Sequence, residues 1–326
     1  MWVELICGLL LYRFFKRFFY GPDPRLALDS SPSIALFSVA KRLEKLNRGS
    51  KVYVGLRIPD PDSASRRNID LVLITTKEAV VISVKNVSGL VSIDKNGNWV
   101  CAADQKHHKT EHLPDPVAET KQLVCILEEY VEQRGVSLPP VYFSYKVICP
   151  NTNFRSIHSE LFPPEVITYD RWTQLKPDER NSYSGWIKDT LGGGKKKMQE
   201  SFSENLHSIL STTPIWDRLE LKDNEYILGE FLEFKGCNED LVSLRKIKRS
   251  KVSHLTVRKI GMFSIADSTV RILYVPRDYR VEGPSWSSQW EEVTVRSKTE
   301  LVFQPQNSRK SCKLKLSSVV SLSLSA

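Results

Sequence analysis

The chain has 326 residues and a mass of 37.3 kDa, more than one compact core of usual size takes up, so its length implies two domains plus tails. With 41% hydrophobic and 26% charged residues and only 15 Gly and 17 Pro, it is ordinary globular material; a fibrous chain, a chain disordered throughout and a polytopic membrane protein are excluded. Lys and Arg exceed Asp and Glu by 47 to 38, a net charge of +9 that favours an anionic partner without choosing one.

At the amino terminus, residues 5–12 form an apolar run, followed by Phe14, Phe15, Phe18, Phe19 and Tyr20 with Arg13, Lys16 and Arg17 interleaved. Aromatic and cationic side chains suit the headgroup boundary of a bilayer. Residues 1–21 are therefore expected to be an uncleaved anchor or interfacial helix that keeps the rest of the chain facing the cytoplasm. Glu4 and the three cations make a full span marginal, and a docked amphipathic helix or a targeting peptide are the alternatives.

A first domain is expected over residues 22–180. Residues 34–46 place Leu36, Val39, Ala40, Leu43 and Leu46 on one helical face. The pattern then changes to strands at 52–58, 69–75, 79–84 and 90–93, with Asn96-Gly97 as a turn before another at 99–101. A helix over 117–133 ends at Gly135, and strands follow at 141–149 and 166–169. Strands apolar on both faces, such as Leu71 to Ile74 and Val80 to Ile82, predict an α/β sheet covered on both sides.

Residues 181–214, with Gly192-Gly193-Gly194 before three lysines, are expected to be a helical linker. From 215 to 326 short β runs dominate, at 226–234, 253–260, 270–275, 291–295, 300–303 and 312–324, predicting a second, antiparallel β domain.

The segment from Asn68 to Trp99 carries the strongest local pattern. An Asp stands on one strand and a Lys at the end of the next, and Val81, Ser83 and Lys85 share one strand face. Ile69-Asp70, the run Val81-Ile82-Ser83-Val84-Lys85-Asn86, Gly89, Gly97-x-Trp99 and the helix start Asp115-Pro116-Val117 with Glu119 resemble the nuclease-related domain (NERD) family. That family belongs to the PD-(D/E)xK superfamily of restriction-endonuclease-like folds, and the resemblance covers roughly residues 34–172. It implies a mixed-sheet core sandwiched by helices. It also implies an Asp and a Glu that hold Mg²⁺ or Mn²⁺ against a scissile phosphate, with a Lys two residues after the Glu.

Asp70 matches that Asp and Lys85 that Lys, but Ser83 occupies the Glu position. A hydroxyl is a poor ligand for a hard divalent ion, so the resemblance implies a site short of one carboxylate. The family's Gly-Glu at the first helix is also replaced, by Ala35-Leu36. Three readings stay open. The chain is a descendant that keeps a basic groove around Lys85 and binds nucleic acid or another anionic ligand there without cutting it; it is an active Mg²⁺ nuclease using Asp70, Lys85 and a migrated Glu119 as catalytic and metal-binding groups; or it is a membrane-tethered scaffold whose β domain recruits an unknown protein. The plain structural alternative for Asp70 and Lys85 is an ion pair at a sheet end.

Other motifs are weaker. His107, His108 and His112 with Glu111 lack the HExxH order and fit an exposed loop. The triple glycine before Lys195 is not a phosphate loop, because Lys196 replaces the Ser or Thr and Asp189 falls at the first Gly. Six scattered cysteines without a CxxC pair indicate neither a disulfide framework nor a zinc knuckle. Arg245, Lys246, Lys248, Arg249 and Lys251 form the best basic patch, fit for phosphates or an anionic surface, or simply a solvated face. Trp286 and Trp290 are loop aromatics that bind a partner or pin the loop down.

Overall fold

The computed structural model describes residues 31–47, 49–63, 65–75, 78–102, 110–137, 139, 142–156, 162–175, 196–222, 224–260, 269–277, 290–306 and 308–325. The expected anchor at 1–21, His107, His108, the triple glycine and Trp286 lie outside these residues. The chain divides into two compact units, the first over Ser31–Trp216 and the second containing the β-rich segment from Asp217 onward. Among the described residues, no helix is long and apolar enough to cross a membrane.

The first unit opens with helix α1 (Ser31–Leu46) and strands β1 (Lys51–Pro59), β2 (Arg66–Ile74) and β3 (Ala79–Val84). β1, β2 and β3 pair antiparallel, and β3 then pairs in parallel with β7 (Phe143–Ile148), which pairs in parallel with β9 (Val166–Ile167). The result is a five-stranded mixed sheet, ordered β1-β2-β3-β7-β9. Val72, Ile74, Ala79 and Val81 join Leu123, Val124, Leu127 and Tyr130 of helix α2 (Pro116–Glu132) in one cluster. The alternate residues Leu71, Leu73, Val80 and Ile82 are equally buried, and α1 crosses β1, β2 and β3. Strand alternation thus gives each helix its own sheet face, which is why these runs carry no polar stripe.

A smaller sheet, ordered β6-β5-β4-β8, comprises β4 (Gly89–Ile93), β5 (Trp99–Ala102), β6 (Glu111–Leu113) and β8 (Phe154–Ser156). The β4–β5 turn needs Gly97: its φ is +82°, and a Cβ there would stand 2.9 Å from Asp115 Oδ2. Asp115 caps α2, its carboxylate accepting the Val117 N–H at 2.9 Å with Pro116 in the first turn. The close glycine and the cap therefore seat this hairpin against the start of α2.

Helix α3 (Tyr169–Gln174) follows β9, so the run expected as one strand over 166–169 turns helical after two residues. A larger difference concerns 181–214. Helix α4 (Lys196–Thr212) is packed by Phe202, Leu206, Ile209 and Leu210 onto the α2 cluster, so the first unit runs to Trp216 instead of ending near 180. Those residues recur at helical spacing; the polar residues between them lower the mean hydropathy that a linker reading rests on.

The second unit is an eight-stranded antiparallel sheet, ordered β14-β13-β12-β17-β10-β11-β15-β16. Its strands are β10 (Asp217–Leu221), β11 (Tyr226–Lys235), β12 (Val252–Ile260), β13 (Thr269–Pro276), β14 (Glu291–Arg296), β15 (Glu300–Pro305), β16 (Cys312–Lys315) and β17 (Val319–Ser323). One cluster including Leu219, Phe231, Leu255, Ile272, Leu301 and Leu322 fills its inner side, and a short helix α5 (Asn238–Leu244) contributes Leu244. The expected single run at 312–324 divides into β16, a 3₁₀ turn and β17, which lie in separate parts of the sheet.

Candidate functional site

Asp70 and Ser83 stand side by side. The β2–β3 register pairs Leu71 with Ile82, and one step further sets Asp70 opposite Ser83 on the α2 face of the sheet. Asp70 Oδ2 accepts the Val84 N–H at 2.8 Å. Burial pushes the Asp70 carboxyl above the usual range; the Val84 N–H and the Lys85 ammonium oppose this, and the Glu119 carboxylate adds to it. Asp70 thus lies within the field of both Lys85 and Glu119.

Lys85 follows β3, and its Nζ lies 2.9 Å from Glu119 Oε2 on the first turn of α2. The pair is partly open to water, with side chains 23% and 52% exposed. Lys85 therefore points to Glu119 as its ion-pair partner, although the strand pattern alone pointed it toward Asp70. Ser83 is buried, its Oγ 2.8 Å from Thr120 Oγ1, which also lies 2.6 Å from the Pro116 carbonyl. Thr120 was missed in the sequence reading, yet its spacing to Leu123, Val124 and Leu127 places it on the buried face of α2.

The wall beside this corner is apolar, formed by Trp99, Cys101, Val147, Cys149, Phe154 and Phe162. Burial pushes the Cys101 thiol up to about 11 and the Cys149 thiol higher still, so neither is a nucleophile at neutral pH. Asp94 and Glu78 stay away from the site: Asp94 accepts the Asn96 and Asn98 N–H groups of its own turn, and Glu78 accepts the Ser144 hydroxyl.

The side chains at this corner differ from the donor set that the resemblance implies. Among the described residues no group of three or more His, Cys, Asp and Glu side chains could hold a metal. One Asp70 oxygen is engaged by Val84, Ser83 brings only a hydroxyl held by Thr120, and Glu119 is engaged by Lys85. Affinity for a hard divalent ion rises with the number of charged ligands, and Ser83 supplies no charge at the position where the resemblance implies a Glu.

The basic run in the second unit splits in two. Arg245, Lys246, Lys248 and Lys251 are exposed and form no ion pair among the described residues. Arg249 turns inward, its Nη1 and Nη2 donating to the fully buried Asp217 carboxylate at 3.0 and 2.7 Å. Asp217 also accepts the Phe231 and Ser325 N–H groups, so this pair ties β11 and the chain end to β10. Among the three histidines, His112 is on β6, exposed and opposite Val100. Trp290 is 47% exposed, its ring set edge-on to His254.

The model of the nuclease-related domain (NERD) family matches residues 33–150, the span of α1, the first seven strands and α2. No curated protein and no solved structure matches the chain.

Proposed function

With residues 33–150 a nuclease-related domain, of the general PD-(D/E)xK kind, we propose that the chain binds nucleic acid without hydrolysing it. The observation that carries this reading is Ser83: the position of the second metal-binding carboxylate holds a buried hydroxyl paired with Thr120. Glu119 offsets the charge of Lys85, so the corner offers a phosphate no net positive field. The electrostatic contacts fall instead to Arg245, Lys246, Lys248 and Lys251, which are exposed on the second unit. A membrane tether through residues 1–20 completes the proposal.

The test is incubation of the full chain with single- and double-stranded DNA and RNA in Mg²⁺ and in Mn²⁺, beside Asp70→Ala and Glu119→Gln. The expected result is binding without cleavage, with an affinity that falls steeply as salt rises. Replacing the four exposed cations by Gln should flatten the slope of log K against log salt by up to about 0.9 for each phosphate that is no longer neutralised. Divalent-dependent cleavage that disappears in Asp70→Ala and Glu119→Gln would overturn the reading in favour of a migrated active site. Absence of binding at moderate salt would leave the scaffold. Flotation with anionic vesicles, with and without residues 1–20, tests the tether.

A further inference from the structure

A cavity of about 270 Å³ lies at the β9 edge of the five-stranded sheet. Lys146, which lines it, pairs in register with Ile82, whereas Ser83 pairs with Val147. Alternation therefore puts Lys146 on the sheet face opposite Asp70 and Ser83, and Ile167, which pairs with Ile148, on that same face. The cavity's apolar lining is Pro164, Val166, Ile167 and Leu175, of which Val166 and Ile167 are buried, and two cationic side chains, Lys146 and Arg171, reach it together with Gln174.

The walls are held in place before any ligand arrives. The Val147 N–H donates to the Glu165 carbonyl at 3.0 Å and the Cys149 N–H to the Ile167 carbonyl at 2.9 Å, fixing β9. Arg42 from α1 donates to the carbonyls of Thr173 and Leu175 at 3.0 and 3.3 Å, and stacks over the buried Trp172 ring at 4.8 Å. This clamps the end of α3 from which Gln174 and Leu175 line the cavity. Lys146 is half-buried, with Nζ 3.4 Å from the Pro164 carbonyl. Burial lowers its pKa against the pull of Glu165 and Glu78, so an anion placed beside it would favour the charged form.

We propose that this cavity binds a small amphipathic anion, a carboxylate or phosphate monoester with a short apolar chain, its head between Lys146 and Arg171 and its chain on Val166, Ile167 and Leu175. The volume is close to the lower limit of small-molecule sites, about 300 Å³, which suits a short chain. Arg supplies a planar fork for two oxygens and Lys a point charge, a combination suited to either head group. The cavity's two cations, Lys146 and Arg171, are not among the residues of the Asp70 corner or the exposed basic run of the second unit, so variants at them test this site separately from nucleic-acid binding.

The test is a titration of the methyl-labelled full chain with hexanoate, hexyl phosphate, hexanol and inorganic phosphate, read at the Val166, Ile167 and Leu175 methyls. For an anion of this size a Kd on the order of 1 mM is expected for hexanoate or hexyl phosphate. Whichever head group binds tighter identifies the source. Hexanol and inorganic phosphate, which lack the head and the chain respectively, should each bind at least ~10-fold more weakly, as should hexanoate to Lys146→Met and to Arg171→Gln. Arg171 is exposed and Met keeps the apolar stem of Lys146, so unchanged core methyl shifts verify each fold. The proposal is overturned if neither amphiphile gives saturable shifts, if hexanol or inorganic phosphate binds as tightly, or if both variants keep full affinity.

Discussion

Replacing Thr120 by Val strips one oxygen from the interior of the first unit while nearly conserving shape. Thr120 is fully buried and Ser83 is 3% exposed, so no solvent reaches the partner left behind. Ser83 Oγ would lose its partner at 2.8 Å, and a buried hydroxyl without a partner costs about 1–3 kcal/mol. Ser83→Ala is milder, because Thr120 keeps the Pro116 carbonyl at 2.6 Å, and should cost about 1 kcal/mol. In the double variant both partners are apolar, and the cost should stay near ~1 kcal/mol instead of the ~3 kcal/mol that independent effects would sum to. The assay is native-state amide exchange at Val81 and Leu127, core positions of β3 and α2 whose exchange reports opening of the whole unit. A coupling of about 2 kcal/mol appears as a roughly 30-fold difference in protection between the observed double variant and the additive expectation. Simple additivity would show that Thr120 does not hold the Ser83 hydroxyl. The argument that this hydroxyl is withheld from a metal ion would then fall.

Three further outcomes follow from the same geometry. The folded-state pKa of Asp70 is raised, so its contribution to stability is full below the unfolded value of about 3.9 and is lost as pH rises through the folded value. Asp70→Asn should therefore raise the melting temperature of the first unit at pH 7.5 and not at pH 3; equal shifts at both pH values would contradict the burial argument. Glu119→Gln removes a group that pushes Asp70 up and leaves Lys85 to pull it down, so carboxyl NMR should record a lower Asp70 pKa. The partly exposed ion pair contributes only about 0–1 kcal/mol, and a much larger stability loss would mean that it does more than its exposure indicates. Asp217→Ala leaves Arg249 without its buried partner and two backbone N–H groups without an acceptor, and should destabilise the second unit by about 3–5 kcal/mol in urea unfolding.

Much of the architecture is visible before any coordinates. The apolar runs of β2 and β3, the Asn96-Gly97 turn and the Asp115-Pro116 helix start each have a local physical cause, and each stands where the spacing puts it. Short elements were harder: β6, β8 and α5 contain three to seven residues, too few for a period to stand out. Helix α4 was visible as a helix but not as part of a core, since its partners Leu127 and Tyr130 lie far back in the chain.

By itself the sequence determined that a hydroxyl stands where the resemblance implies a carboxylate, and that Asp70 lies on one strand and Lys85 at the end of the next; residue identity and strand alternation suffice for both. The tertiary structure decided where those groups are spent. Which face of α2 meets the sheet sets Glu119 on Lys85 and Thr120 on Ser83, contacts 34 and 37 residues apart in the chain. The fold of the second unit likewise turns Arg249 inward to Asp217 while its neighbours stay in solvent. Such pairings depend on helix rotation and loop closure over long separations, and no local period records them.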